Sequence, residues 1–332
     1  MKGFWRKLEK PFFVLAPLAN VTDAAFRRII AEHGKPDVFW TEFVSADGLN
    51  SAGREKLLPD LIYSEAERPI VAQLFSAHPE KIRKASALIQ ELGFDGVDIN
   101  MGCPDRAVLK QGAGAALAKD YALARAIIAA AKAGAPELPV SVKVRLGDTV
   151  NQIEEWIPAL LEAKPAAITI HGRTRKEMSK VPARWDDIAR CVEIRNEWSL
   201  AQDISPDEQT LIVGNGDAEG LEDAREKAER YGVDGVMLGR AIFGNPWLFN
   251  DKKDKETISE RERLVALLKH AEYFNEMLGE VKPFHIMRKH FGSYVSGFAN
   301  AKALREKLMV TENMEAVRLL IKEELLKLET SD

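Results

Sequence analysis

Only two cysteines, Cys103 and Cys191, occur among the 332 residues. A disulfide framework is therefore excluded, and no Cys/His cluster has the spacing of a zinc site, so no metal is expected. No apolar run approaches the roughly 18 residues of a membrane span. The opening segment MKGFWRKLEKPFFVLAPLAN carries basic residues, but its apolar stretch is short and flows into a strand. No signal peptide is expected, and the protein reads as cytoplasmic. Positive charge is not in excess, since the formal net charge is −4. That argues against a chain that binds nucleic acid over its whole surface, while a local basic face stays compatible with it. Also missing is a glycine-rich phosphate turn after the first strand-like run, where LANVTD stands instead. This counts against a doubly wound open sheet, the main alternative architecture.

What is present is a globular composition, 46% apolar and 30% charged, long enough for one large domain and a smaller one. Eight short β-rich runs recur: FFVLAP (12–17), VFWTEF (38–43), PIVAQLF (69–75), GVDIN (96–100), PVSVKVRL (139–146), AITIHGR (167–173), LIVGNG (211–216) and GVMLGR (235–240). Several are continuously apolar, as parallel strands covered on both faces are. Helical stretches lie between them. TDAAFRRIIAEHG reads as a helix with Thr22 as N-cap, Asp23 in its first turn and a stop at Gly34. HPEKIRKASALIQELG and DYALARAIIAAAKAG also end in glycine. Strands alternating with helices predict a (β/α)₈ barrel over residues 1–249. LGFDGVDIN (92–100) and YGVDGVMLG (231–239) echo each other, as half-barrel duplication or a shared helix-to-strand turn would produce. Beyond Trp247, NDKKDKET (250–257) reads as a polar linker. RLVALLKHAEYFNEML and MEAVRLLIKEELLKLE then carry apolar residues at helical spacing, predicting a small all-helical domain over 250–332.

A barrel of this kind carries its active site at the C-terminal ends of the strands. Gln73, Asn100, Lys143, Arg145, His171, Arg173, Asn215, Asp217 and Arg240 all fall at or just beyond that end of their strands, and Cys103 follows in the fourth loop. Gly214, Gly216 and Gly239 permit close approach of a ligand, and the loops after strands seven and eight suit a phosphate that Arg240 could pair with. Each residue also has a plainer reading. Lys143 could pair with a carboxylate, His171 could be a satisfied core histidine, GNGD could be only a turn, and both cysteines could be structural. Their concurrence at one end of different strands favours a site, and its cations suit a cofactor that becomes anionic on reduction.

The segments APLANVTDAAFR, VAQLF, GFDGVDINMGCP, KQGAGAAL, VSVKVRLG, ITIHGRT, VGNGD and GVMLGRAIFGNPW resemble, in order and spacing, the tRNA-dihydrouridine synthases. The likeness covers 12–249, with an echo in MRKHFGSYVSGFANAKALREKL (287–308) that is most similar to the bacterial B-type subgroup. The resemblance implies an FMN-containing barrel followed by a helical tRNA-binding domain, an oxidoreductase acting on CH–CH groups. It implies reduction of the C5–C6 bond of a uridine in the D-loop of tRNA with NADPH as electron source. Hydride would pass from FMN N5 to C6, and a proton from Cys103, as the acid, to C5. By position, Ala16, Pro17 and Leu18 would contact the flavin ring, Gln73 and Lys143 would hydrogen-bond it, and His171 would lie beside it. Asn215, Gly216, Asp217, Gly239 and Arg240 would hold the ribityl phosphate end, and Asn100 would help place the uracil.

For tRNA, the candidate contacts are Arg173, Arg175, Lys176 and Lys180 after the sixth strand, and His285, Arg288, Lys289 and His290 in the helical domain. A monomer is expected. Two features depart from the family pattern: Leu18 stands where methionine is usual, and 196–211 is a long polar segment, read as a surface excursion. Three rivals are an FMN barrel acting on a free pyrimidine, a flavin-free aldolase with Lys143 as Schiff-base lysine, and a non-catalytic RNA-binding scaffold.

Overall fold

In the computed structural model, which describes residues 3–253 and 255–330, the eight expected strands are β1 (Phe12–Leu15), β2 (Phe39–Ser45), β3 (Ile70–Phe75), β4 (Gly96–Asn100), β5 (Val140–Arg145), β6 (Ala167–His171), β7 (Leu211–Asn215) and β8 (Gly235–Leu238). All neighbours pair in parallel, in the order β1-β8-β7-β6-β5-β4-β3-β2. A parallel bridge between Val14 and Val38 and the Asp37 N–H bond to Phe13 O (2.9 Å) join β1 to β2 and close the cylinder. β1 is shorter than its apolar run. Ala16 N still donates to Leu238 O (2.8 Å), but Pro17 has no N–H to continue the ladder.

Alternation along each strand separates two cores. Val14, Trp40, Val71, Ala167, Val213 and Met237 pack together inside the barrel. Their chain neighbours Leu15, Phe39, Ile70, Ile168, Ile212 and Val236 belong to the core shared with the surrounding helices. Trp5 joins the inner core against Phe12 and Trp40, with ring centroids 5.8 and 6.1 Å away. It plugs the N-terminal end, which leaves the other end as the open mouth.

The intervening helices are α1 (Ala24–His33), α2 (Ala46–Leu49), α3 (Pro79–Glu91), α4 (Arg106–Lys110), α5 (Tyr121–Gly134), α6 (Ile153–Glu162), α7 (Trp185–Ala201) and α8 (Leu221–Tyr231). The N-cap of α1 is Asp23, accepting from Phe26 N at 3.0 Å, and not Thr22 as expected. The Thr22 hydroxyl is occupied by Leu18 N (2.9 Å), so it shapes the loop after β1 instead. Phe26, Ile29 and Ile30 of α1 are wholly buried, each worth about 1.5–3 kcal/mol. The two echoed segments do the same local work. Asp95 accepts from Ile70 N (2.8 Å) and Asp234 from Ile212 N (2.7 Å), so each aspartate tethers the strand that precedes its own. The 196–211 segment extends α7 and returns to β7, with Thr210 Oγ1 donating to Pro165 O. It lies at the N-terminal end of the barrel, away from the mouth.

After β8 the described chain holds only helical elements, including α9 (Glu260–Leu278), α10 (Arg288–Tyr294), α11 (Ala301–Met309) and α12 (Met314–Glu329). α9 begins with a capping box between Ser259 and Glu262. This part is not loosely strung. Its buried residues continue the outer core, and Phe26 of α1 meets the rings of His270 and His290 at 4.9 and 4.8 Å. Lys282 reaches Glu42 (3.0 Å) and Asp60 (2.5 Å) on the barrel. The stretch expected to be a linker is likewise pinned, through Asn250 Nδ2 donating to His33 O (2.7 Å) and the Lys253–Glu262 pair. No helix of the described residues is long and apolar enough to cross a membrane.

Candidate active site

Inward-pointing positions change character along the barrel. The lower layers are apolar, whereas the last inward residue of most strands is polar, and these residues surround a cavity of about 870 Å³ at the mouth. From β1 and its loop come Ala16, Pro17 and Leu18. β3 supplies Gln73, and β4 supplies Asn100 and, beyond it, Cys103. Lys143 and His171 enter from β5 and β6, and Arg173 from the turn after β6. Asn215, Gly216, Asp217, Gly239 and Arg240 complete the wall from the ends of β7 and β8. Every residue assigned above to the flavin, together with Asn100, Cys103 and Arg173, therefore faces one cavity.

Among the described residues, Lys143 has no carboxylate partner in hydrogen-bond range. Its Nζ donates to Asn215 Oδ1 (3.0 Å), and Asn215 Nδ2 donates to Met237 O (2.7 Å). Burial lowers the Lys143 ammonium to about 8, with nearby Arg145 adding to the effect and Asp98 opposing it. Burial and the charges of Lys143, Arg145, Arg173 and Arg240 together push His171 down to about 2, so its ring is neutral. Arg173 Nη1 lies 3.4 Å from His171 Nε2. A guanidinium can only donate, so Nε2 is the acceptor and Nδ1 carries the proton. That buried Nδ1–H has no partner among the described residues. A satisfied core histidine would not look like this.

Asp217 joins the two arginines, accepting from Arg173 Nη2 (2.5 Å) and Arg240 Nη2 (2.6 Å). Burial works to raise its carboxyl, but the Arg173 bond, the Ala183 N–H and both arginine charges hold it below its ordinary value. The glycines divide by role. A Cβ on Gly214 would run into the Trp185 ring at 2.4 Å, so this glycine serves helix packing and not a ligand. Gly216 has φ +127°, open to glycine but strained for other residues, and a Cβ on Gly239 would meet only Ala16, at 3.6 Å.

The Cys103 loop is held from three sides. Asn100 Oδ1 accepts from Gly102 N (3.1 Å) and Cys103 N (2.8 Å), Ala115 N donates to Cys103 O (3.0 Å), and Arg145 Nε donates to Gly102 O (2.8 Å). Burial raises the Cys103 thiol above its ordinary value, against a lowering N–H contact from Asp105. The group is a thiol, not a thiolate, at neutral pH. Cys191 is wholly buried in α7 and donates to Asp187 O (3.1 Å). An alkylating reagent should therefore report on Cys103 alone. Its rate is expected to stay low through neutral pH and to climb only above the ordinary thiol range. Fast labelling with a plateau near neutrality would contradict a raised thiol pKa.

The residues proposed for tRNA do not form one surface. Arg173 is inside the cavity, with 3% of its side chain exposed. Arg175 is paired with Asp148, which also takes Lys119 at 3.0 Å. Arg288 Nη2 donates to Thr311 O (3.0 Å), tying α10 to the corner before α12. His290 is fully buried beside Phe26 and His270 and cannot reach a phosphate, which corrects its place among the candidate contacts. Lys176, Lys180, His285 and Lys289 are exposed. Among the described residues, no group of three or more His, Cys, Asp or Glu side chains is arranged to hold a metal ion. Arg145, placed at the strand end from sequence but given no role there, lines the mouth two positions after Lys143. Asp98, two before Asn100, was not singled out. In both cases the period of two along the strand was the available signal.

Comparison with known proteins agrees with this geometry. The family model described as Dihydrouridine synthase (Dus) matches residues 14–330. The probable tRNA-dihydrouridine synthase 2 of Bacillus subtilis (strain 168) is 42% identical over 327 residues, covering 96% of each chain. The probable tRNA-dihydrouridine synthase of Staphylococcus aureus (strain COL) is 40% identical, covering 97% of this chain and 95% of the other. Among solved structures, histamine dehydrogenase from Rhizobium sp. 4-9 superposes with a TM-score of 0.51 at 15% identity, over 79% of this chain and 48% of that one. That likeness speaks for the fold alone.

Proposed function

The chain belongs to the dihydrouridine synthase family, and from that membership and the barrel mouth we propose that it reduces the C5–C6 bond of a D-loop uridine in tRNA, with FMN in the cavity and NADPH as electron source. The observation that carries the reading is Cys103, a protonated thiol on a clamped loop that faces a cavity floored by cations and a neutral histidine. The cavity fits FMN in size. The unpartnered His171 Nδ1–H offers a donor to it, as does the Lys143 ammonium. The open backbone at Gly239 and the Asp217-braced Arg173 and Arg240 would receive a phosphate.

Bound FMN supplies the hydride that reaches uracil C6. The electron pair displaced from the C5–C6 bond then needs a proton at C5, and Cys103 gives it from Sγ. Burial keeps that proton on sulfur until it is needed, and Arg145 and Asn100 fix the loop that carries it. Hydride and proton together account for the two hydrogens added. Asn100 lies beside Cys103 and would orient the uracil. The uridine must leave the tRNA fold to enter, at an unstacking cost of a few kcal/mol. Residues 250–332 are read as a tRNA-binding domain, with Lys289 and His285 as its exposed candidates and Lys176 and Lys180 at the mouth. Binding through them should weaken steeply with added salt.

Purified protein supplied with FMN and NADPH should reduce uridine in tRNA far faster than free uridine. Comparable rates on the free nucleoside would favour a small-molecule pyrimidine reductase instead. The lowered ammonium of Lys143 would also suit a Schiff-base lysine. A protein that stays colourless after addition of FMN would favour that role. Because a hydrogen bond donated by the ammonium to the flavin ring favours the charged lysine, FMN affinity should be flat below about pH 8 and fall above it. In Lys143→Met the affinity should be lower and this pH dependence should vanish. An unchanged dependence in the variant, followed by flavin fluorescence, would remove Lys143 from the flavin contacts.

A further inference from the structure

One carboxyl group is buried inside the barrel, just above its apolar layers. Asp98 is wholly buried, one inward layer below Asn100 on β4, between Gln73 of β3 and Ser141 of β5, which the strand register sets beside it. Val71, Trp40 and Val213 are among the apolar side chains of the interior. A hydrophobic residue at 98 would cost the core less, since a buried carboxyl is expensive to desolvate.

The hydrogen bonds of Asp98 form a series with a direction. Ser141 Oγ donates to Asp98 Oδ1 (2.6 Å) and Gln73 Nε2 donates to Asp98 Oδ2 (2.7 Å). Asn100 Nδ2 then donates to Gln73 Oε1 (2.9 Å). Asn100 Oδ1 finally accepts from the backbone N–H groups of Gly102 and Cys103. The two ends of this series are fixed in chemistry. Backbone N–H groups can only donate, so Asn100 must present oxygen to the cysteine loop and its amino group to Gln73. Gln73 must then present oxygen to Asn100 and its amino group to position 98. Only an acceptor at position 98 completes the chain without two donors meeting.

We infer that Asp98 is a positioning residue: by accepting from Gln73 it sets the orientation of two amides in series and so holds the Cys103 loop in place. It touches neither substrate nor cofactor and acts through Gln73 and Asn100. Without an acceptor at 98 the Gln73 amide is free to turn over. Its amino group then faces that of Asn100, and the bond to Cys103 N is lost from part of the population. This deepens the reading of Cys103 as proton donor, but its test does not depend on that reading.

The test is thiol labelling of the full-length chain, because Cys191 is fully buried and its labelling would reveal a variant that has unfolded. Asp98→Ala should raise the alkylation rate of Cys103 by about fivefold to tenfold, the worth of one hydrogen bond. Gln73→Met, which breaks the middle link and leaves the carboxyl, should do the same, and the double variant should match either single one. Asp98→Asn keeps an acceptor for Gln73 and should return labelling to the wild-type rate. The inference is overturned if Asp98→Ala labels like wild type. It is overturned equally if Asp98→Asn labels like Asp98→Ala, or if the effects of Asp98→Ala and Gln73→Met multiply. Should Asp98→Ala label at Cys191, the Gln73→Met and Asp98→Asn comparisons decide the matter. Cys103→Ala activity, measured separately, tests the proton-donor reading, so either can fail while the other stands.

Discussion

Replacing Cys103 by alanine is expected to lower dihydrouridine formation by about 10²–10⁴-fold, the range that a positioned general acid contributes, and to leave tRNA binding intact. The loop around Cys103 is secured by backbone groups and by the Asn100 and Arg145 side chains, none of which the substitution removes. The missing proton donor is then the only change at the mouth. Cys103→Ser separates acidity from shape. A hydroxyl of nearly the same size is a far weaker acid, so most of the loss should remain. Single-turnover reduction of tRNA measures the chemical step, and filter binding measures affinity. Full activity in Cys103→Ala would assign the proton to another group.

Arg27→Met should be the most damaging substitution far from the chemistry. Arg27 and Glu67 are both fully buried, 2.6 Å apart. The remaining donors of Arg27 reach Thr22 O (2.8 Å) and Ile62 O (2.5 Å). Glu67 Oε1 in turn accepts from Ser64 N (2.8 Å) and Ser64 Oγ (3.0 Å). Every nitrogen and oxygen of the pair makes a hydrogen bond, which is what lets two charges stay inside. Removing the arginine leaves an unpaired buried carboxylate, at a cost of about 3–5 kcal/mol. Urea denaturation should show the midpoint falling by that equivalent, whereas Arg27→Met combined with Glu67→Leu should recover much of the loss. A single variant as stable as wild type would mean that the carboxylate is compensated some other way. The loss should also reach the site, because Thr22 belongs to the loop after β1 and its hydroxyl holds Leu18, which with Pro17 lines the cavity.

Strand identity, strand order and the end at which chemistry gathers were all legible in the residue pattern. The strands are short apolar runs, and in most of them a polar residue falls at the same end. Burial of charged residues was not legible. Arg173 and His290 read as surface cations because sign and spacing are visible in sequence, while the neighbours that bury them come from other elements. His290 is enclosed by Phe26, some 260 positions earlier. Asp98 was missed for a related reason. GVDIN reads as an ordinary strand; the period of two puts its aspartate on the face of Asn100, but only the register with Gln73 and Ser141 reveals what it bonds. Thr22 and Asp23 are both good N-cap residues. The choice between them was made by Leu18, whose N–H claims the threonine hydroxyl.

The central claim, that this chain reduces a uridine of tRNA with Cys103 as the acid, is tested most directly by mapping dihydrouridine in tRNA from cells that lack the chain. The account predicts that dihydrouridine disappears from at least one D-loop position, returns with the wild-type chain and does not return with Cys103→Ala. Unchanged dihydrouridine at every position in the deleted cells, or full restoration by the Cys103→Ala chain, would contradict it.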